Sequence, residues 1–577
     1  MELALLGVVA VLVIVAVAGV APRIGVAAPV ILVLLGTIGG YLPGVEPVVV
    51  DPEIVLMVVL PPILYAAAVN VPLMDFRRNF RAITGLSVVL VVLSAVVVGL
   101  VLRLLLPDLS FAAAIALGAV VAPPDAVAAT AVGKKLGLPH RLVTVLEGEG
   151  LVNDATALVL LRSAVAATAA TAASVEVADV AVDFVRAVAI ALVIGAAVGL
   201  AAVFVRGRMS DPVLSTAISF AVPFVAFIPA EHLHASGVLA VVVAGLLTGH
   251  LAPKHLSPAD RISERTNWRT AQMLLENGVF LLVGLELHGI VDQVADDDLS
   301  VGQAVAIGVL VAAVLTVVRA GFVVPLVASL RRERRRAVVR AAHLDSVLSR
   351  IEEARTVLPP EILEDPRFRE RGRRVTRKIR RRRADLGSLQ ADGLGWRGGA
   401  VLAWSGMRGV VTVAAAQTLP ADLPYRPQLV LIALTVAIVT LVVQGGTLPW
   451  VIRIVGVQGT DEDVEREQLA TLVGEITSAG VACLENPSLR RSDGSEFPPE
   501  TLEGVRDAIR RTASLLTVHG AEDGQGPASD HHALRRRAIE AERAALADAR
   551  TSGAHPSHVV DHVEHLLDLE EARLDLA

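Results

Sequence analysis

The feature that most constrains this chain is a succession of apolar stretches, each long enough to cross a lipid bilayer, which takes about 20 residues of helix. About thirteen can be delimited by hydropathy and length. They are residues 3–21, 27–43, 52–70, 82–106, 110–132, 141–164, 180–205, 212–230, 235–251, 271–290, 301–330, 398–420 and 427–456. They lack the short alternating segments of a β-barrel, so an all-α polytopic membrane protein is expected. Composition agrees: 54% of the 577 residues are hydrophobic and the mean hydropathy is +0.62, more than a soluble chain of this length needs. The first stretch begins with Glu2 and has no basic leader ahead of it, which reads as a retained helix rather than a signal peptide.

The loops between these stretches alternate in charge. Arg23, then Arg77, Arg78 and Arg81, then Lys134, Lys135 and Arg141, then Arg206 and Arg208, then Lys254, Arg261, Arg265 and Arg269 mark one side. Glu46 and Asp51, Asp108, Glu176 and Asp179, Glu231, and Asp296 to Asp298 mark the other. Basic residues favour the cytoplasmic side of short loops. The expected orientation therefore has the N-terminus outside and the C-terminus in the cytoplasm, in a cell membrane of bacterial type.

Four regions follow: spans 1–11 over residues 1–330, a basic loop over 331–396, spans 12–13 over 397–456, and a helical cytoplasmic tail over 457–577. The loop carries arginine clusters at Arg331 to Arg336 and Arg380 to Arg383, with a helix-like stretch from His343 to Val357 ended by Pro359-Pro360. A solvated positive-inside loop is the first explanation, anchoring to anionic lipid the second, and nucleic-acid binding a formal third that is not expected. In the tail, Asp530 to Arg550 and Ser557 to Leu576 read as helices with good N-cap residues. Val560, Val563, Leu567 and Leu574 form an apolar stripe that suits a partner helix, and the tail histidines read as ordinary surface residues. Cys483 is the single cysteine, which excludes an intrachain disulfide. No organic cofactor is expected.

An ionisable side chain at bilayer depth costs at least about 2–3 kcal/mol and is a functional candidate by default. The fifth stretch contains Pro123-Pro124-Asp125. Two prolines remove helix donors and push the residues before them out of the α region, so the helix should break near Asp125. Broken helices at depth are tolerated where they line a cavity, and their ends point partial charges at a bound ion. The plainer alternative is a proline kink with a carboxylate at a helix N-cap. The sixth stretch holds Glu149, Asn153 and Asp154. Glu149 and Asn153 are four apart, share a face and can bond to each other, while Asp154 points to an adjacent face. Asp125 and Asp154, from separate helices, can then meet at one site. Burial favours a protonated carboxylate and a nearby cation favours an ionised one. A carboxylate balanced between them can hold a proton or a cation, which suffices for exchange. Arg319 in the eleventh stretch needs a buried carboxylate, and Glu149 is the natural one. Gly406 and Gly409 weaken the twelfth stretch around Arg408, although close helix packing also explains such glycines. The fifth and twelfth stretches run in opposite directions, as in transporters built from inverted repeats.

Glu149-Gly150-Leu151-Val152-Asn153-Asp154-Ala155 and Trp404-Ser405-Gly406-Met407-Arg408-Gly409-Val410-Val411 resemble sodium/proton antiporters of the monovalent cation:proton antiporter-1 family. Leu60-Pro61-Pro62-Ile63-Leu64-Tyr65 and Phe280-Leu281-Leu282-Val283-Gly284-Leu285-Glu286 support the resemblance, which covers nearly all of the membrane part. The resemblance implies about thirteen helices with two broken crossing helices, a homodimer, and a core domain that moves like an elevator against a dimerisation domain. It implies that Asp154 binds the cation and the proton, that Asp125 at the unwound crossing helps, with Pro124 and Asn153 beside them, and that Glu149, Asn153, Arg319 and Arg408 organise the site. The Asn-Asp pair implies electroneutral exchange of one Na+ or Li+ for one H+, serving pH and sodium homeostasis. Where the family commonly has Thr-Asp-Pro, Pro124 and Ala126 flank Asp125 here. Gly150 follows the glutamate where serine is frequent, and Ala66 follows the third-span aromatic where an acid is frequent. Each change removes an oxygen that can touch sodium, so a K+/H+ antiporter stays open as an alternative. A tail-regulated cation channel lacks a filter-like run, an intramembrane protease fits Asn153-Asp154 and the buried arginines less well, and an ATP-driven pump lacks a phosphate-binding loop.

Overall fold

The computed structural model describes residues 2–24, 27–43, 51–169, 177–295, 299–357, 395–457 and 495–518, with Val375, Ile379 and parts of 470–485. The predicted tail helices and tail histidines lie outside the described residues, as does the second arginine cluster. The described elements are helices: α1 Glu2–Ile24, α2 Ala28–Gly40, α3 Pro52–Asn70, α4 Phe80–Leu105, α5a Phe111–Val121 and α5b Ala126–Lys135, and α6 His140–Ala169. Then come α7 Val177–Arg206, α8 Pro212–His232, α9 Gly237–His255, α10 Pro258–Ala295, α11 Val301–Val357, α12a Trp396–Trp404 and α12b Val410–Gln417, and α13 Arg426–Val455. Among the described residues nine helices are long and apolar enough to cross a membrane and three more are shorter. Leu5, Leu12, Val193, Val213, Val317 and Val324 are exposed along these helices, as suits side chains facing lipid.

The chain divides into two units, Met1–Gln458 and Gly459–Ala577. In the second, the described helix Pro499–Val518 places Arg506 3.7 Å from Glu485.

The first unit contains two bundles. In one, α4 packs on α5a, α5a on α6, α11 on α4, α12a and α13, and α12b on α13. Its core is small and aliphatic: Ala95, Val98, Ala114, Leu117, Leu315 and Ile432 are fully buried. In the other, α7, α8 and α9 pack together, α8 and α9 also pack on α3, and α10 lies along α2. The α2–α10 crossing is close because glycine meets glycine. A Cβ on Gly284 would fall 2.3 Å from Val33 O, and one on Gly36 would fall 2.3 Å from Leu281 O. We call these the crossing bundle and the facing bundle.

Two helices outrun their predicted spans. α10 starts at Pro258, well before 271, because Ser257 and Asp260 cap it reciprocally: Ser257 N–H and Oγ donate to Asp260 Oδ2 (3.0 and 2.6 Å), and Asp260 N–H donates to Ser257 Oγ (3.1 Å). α11 continues past Leu330 to Val357. Residues 331–357 are therefore a helical extension with Ala337 and Ala341 buried and Arg331, Arg332, Arg334, Arg335, Arg336, Arg340 and Arg350 exposed. A π turn at Val55–Val59 precedes Pro61-Pro62, which lack the N–H groups that would bond the preceding turn.

Candidate functional site

The chemistry of the crossing bundle begins with carbonyls that two helix breaks leave without partners. Pro123 and Pro124 cannot donate, so α5a ends at Val121 and α5b starts at Ala126. Arg408 satisfies the orphaned end of α5a. Its Nε donates to Val121 O at 3.0 Å and its Nη2 to Ala122 O at 3.4 Å. Arg319 does the same for α12a, its Nε donating to Leu402 O at 2.9 Å. Each arginine thus puts a positive charge at the negative end of a half-helix. Arg408 also donates to Gly406 O, and its backbone N–H reaches Thr440 Oγ1 at 3.0 Å.

The breaks are fastened to each other. Asp125 N–H donates to Met407 O at 2.6 Å. The Asp125 carboxylate lies against Gly409, where a Cβ would fall 2.5 Å from Asp125 Oδ2. Gly409 is the residue before α12b, so one carboxylate stands at the starts of both α5b and α12b, the positive ends of those helices.

α6 supplies the remaining groups. Glu149 is 1% and Arg319 2% exposed, and the guanidinium donates to both carboxylate oxygens, Nη1 to Oε1 at 2.5 Å and Nη2 to Oε2 at 2.9 Å. Ser87 Oγ donates to the Glu149 backbone carbonyl at 3.3 Å. Asn153, fully buried, does not turn to Glu149. Its Nδ2 donates to Pro124 O at 2.6 Å, and its Oδ1 accepts from Asp154 N–H at 2.6 Å. The physical reason is the break: Pro124 O has no helical donor, whereas Glu149 is saturated by Arg319. Asn153 therefore ties the break in α5 to the backbone of Asp154.

Asp154 is half-buried and faces a cavity of about 610 Å³. Among the described residues nothing donates a hydrogen bond to its carboxylate. Asp125 and Pro124 line the same cavity, as do the hydroxyl residues Thr130 and Thr412. The predicted residues Asp125, Pro124 and Asp154 are thus brought to one space, Asn153 and Glu149 sit behind it, and Arg319 and Arg408 hold the half-helix ends. Ala66 is buried in the facing bundle. Thr130 and Thr412 are hydroxyl residues of the cavity that Pro124 and Gly150 also line.

The facing bundle adds residues that the motifs did not single out. Gln272 and Glu276 on α10 line the cavity, with Arg265 and Arg269 nearer the start of α10. The signal available in the sequence was Glu276 itself, an acid within the tenth apolar stretch. Carboxylates and hydroxyls lining one cavity of about 610 Å³ can strip part of the hydration shell from a small cation. The same carboxylates can take up a proton when no cation is present.

The sodium/hydrogen exchanger transmembrane family matches residues 8–349 and 374–454 of the chain. An uncharacterised Na+/H+ exchanger of Mycobacterium tuberculosis strain H37Rv is 29% identical over 562 residues, covering 96% of this chain and 92% of its own. A Na+/H+ antiporter of Aphanothece halophytica is 25% identical over 412 residues, covering 71% of this chain and 66% of its own. The structure of a sodium/proton antiporter of Methanocaldococcus jannaschii superposes with a TM-score of 0.56 at 14% identity. It covers 79% of this chain and 100% of the other, a likeness of fold.

Proposed function

The chain belongs to the sodium/hydrogen exchanger family, and from that premise we propose that its Na+/H+ antiport runs through Asp154. It is a transporter, a multi-pass membrane protein with bacterial relatives. The observation that carries the reading is the cavity-facing Asp154 carboxylate, which lacks a donor among the described residues while Glu149, Arg319 and Arg408 behind it are engaged by the protein. A carboxylate left free at depth is open to a proton or a cation. Asp125, Thr130 and Thr412 complete the oxygens around the ion. Asn153 and the Pro124 carbonyl fix the backbone that presents Asp154, and Glu149, Arg319 and Arg408 keep the two breaks in register.

With Asn153 neutral, one carboxylate exchanges one cation for one proton, so the cycle is electroneutral. The protein works as a homodimer in a plasma membrane, its N-terminus outside and its C-terminus in the cytoplasm, and serves pH and sodium homeostasis. The loop-charge alternation supports that orientation. Residues 331–396 and 457–577 form its cytoplasmic parts.

The test is dissipation of a preformed pH gradient in everted vesicles on addition of Na+, Li+ or K+. Na+ and Li+ should collapse the gradient, and Asp154→Asn should abolish the response with expression intact. Exchange that survives Asp154→Asn would move the essential carboxylate to Asp125.

A further inference from the structure

Besides Asp125, Asp154 and Glu147, which is paired with Lys134 at 2.7 Å, the cavity holds an acidic side chain that the exchange site leaves without a role. Glu276 lies in the middle of α10 with Gln272 one turn before it, and both line the cavity shared by Asp125 and Asp154. Gln272 Nε2 donates to Glu276 Oε1 at 2.6 Å. That bond is made along a single helix, so it steadies the carboxylate on the facing bundle and not against the crossing bundle. Among the described residues nothing donates to the other oxygen, Oε2.

A purely structural carboxylate at this depth would need a cation of the protein's own. None is joined to it among the described residues. The arginines of α10 that line the same cavity, Arg269 and Arg265, are exposed and sit about 10 and 16 Å earlier along the helix axis. Asp125 and Asp154 have protein partners at their backbones that build them into the crossing bundle. Glu276 is the acid that answers them from the other wall.

We propose that Glu276 is a further cation-binding residue of the exchanger, receiving a monovalent cation from the cavity and handing it to Asp154. This rests on the reading of Asp154 as the exchange carboxylate. Its Oε2 replaces water lost by the ion on entry, while Gln272 keeps the carboxylate aimed at the cavity. Asp154 and Asp125 hold the ion through the exchange step itself, and Glu276, on the opposite bundle, meets the ion only when this cavity is the open one. Losing Glu276 therefore weakens capture and spares the exchange step.

The experiment uses the full chain in liposomes, with initial rates of proton movement measured against Na+ and Li+ concentration. Glu276→Gln keeps the shape and the bond to Gln272 and removes the charge. It should raise KM for Na+ about tenfold and leave the maximal rate within about twofold. Glu276→Asp should fall between the two, with thermal stability unchanged in both. An unaltered KM, or a lost maximal rate at unaltered KM, overturns the proposal. Should the glutamine variant fail to fold, the aspartate variant alone must still shift KM. Asp154→Asn, measured in parallel, reports on the reading beneath: residual exchange there removes that premise whatever happens at Glu276.

Discussion

Among the described residues, each bundle of the membrane unit buries an arginine–glutamate pair, and the two pairs have nearly the same chemistry. In the crossing bundle Arg319 grips Glu149 through two hydrogen bonds. In the facing bundle Arg206, fully buried, grips Glu264 through two bonds of 2.8 Å. Their surroundings differ. Arg206 ties together intact helices: its Nε also donates to Ser215 Oγ on α8 at 3.3 Å, and nearby Trp268 Nε1 donates to Ser219 Oγ at 3.0 Å. Arg319 spends its Nε on the carbonyl end of a broken helix, and Asp154 lies five residues after its glutamate. An equal ion pair thus joins whole helices in one bundle and holds a deliberate break open in the other. What a buried ion pair does is decided by the backbone around it.

The sharpest way to break this comparison is to cut one pair at a time. Arg319→Gln or Glu149→Gln should lower exchange at least about 100-fold per folded molecule, since a misplacement of about 1 Å at a reacting site can cost that much. Reversing both charges together should restore part of the loss. A double reversal no better than the single changes would show that the pair does not act as a unit.

Arg206→Gln or Glu264→Gln should cost about 3–5 kcal/mol, because it strands a buried charge. Thermal unfolding in detergent should register the loss, while KM for Na+ in the surviving protein stays at the wild-type value. A changed KM here would erase the distinction between the bundles.

The smallest effects come from glycines. Gly36→Ala pushes a methyl group to 2.3 Å from Leu281 O and should cost about 1–3 kcal/mol of stability with unchanged transport per molecule. Gly409→Ala crowds Asp125 Oδ2 at 2.5 Å. It should raise KM about three- to tenfold for a comparable strain, since about 1.4 kcal/mol at the ion changes affinity tenfold. Comparing KM and melting temperature for the two variants separates strain on packing from strain on the site.

Much of the crossing bundle was legible in the sequence because breaks need conspicuous residues. Pro123-Pro124 and Gly406 with Gly409 announced where the helices fail, and an arginine in each of the eleventh and twelfth stretches asked for partners. Charge alone did not say that Arg319 and Arg408 also cap α12a and α5a, because orphaned carbonyls are visible only once the backbone is traced. Asn153 was placed on the face of Glu149 by spacing, yet the open Pro124 carbonyl on another helix drew it away. The facing bundle was less legible. Arg206 looked like a loop charge and Glu264 fell between stretches, because hydropathy ended the seventh stretch at 205 and began the tenth at 271. Capping by Ser257 and Asp260 extends α10 back to Pro258 and takes Glu264 inside. Glu276 escaped notice because its neighbours form no motif. Its meaning comes from a cavity wall shared with residues more than a hundred positions away.

The bond between the two breaks also has a consequence for biogenesis. Arg408 Nε and Val121 O are 287 positions apart in the chain. At about 5–20 residues per second of synthesis, α5a waits roughly 15–60 s for the guanidinium that caps it. During that interval its open end is already among lipids or in the insertion machinery, with Asp125 beside it and no partner backbone at Met407. The ribosome therefore makes the two carboxylates, Asp125 and Asp154, first and the guanidinium that caps the break beside them last. A chain stopped before Arg408 lacks the guanidinium that meets the Val121 and Ala122 carbonyls.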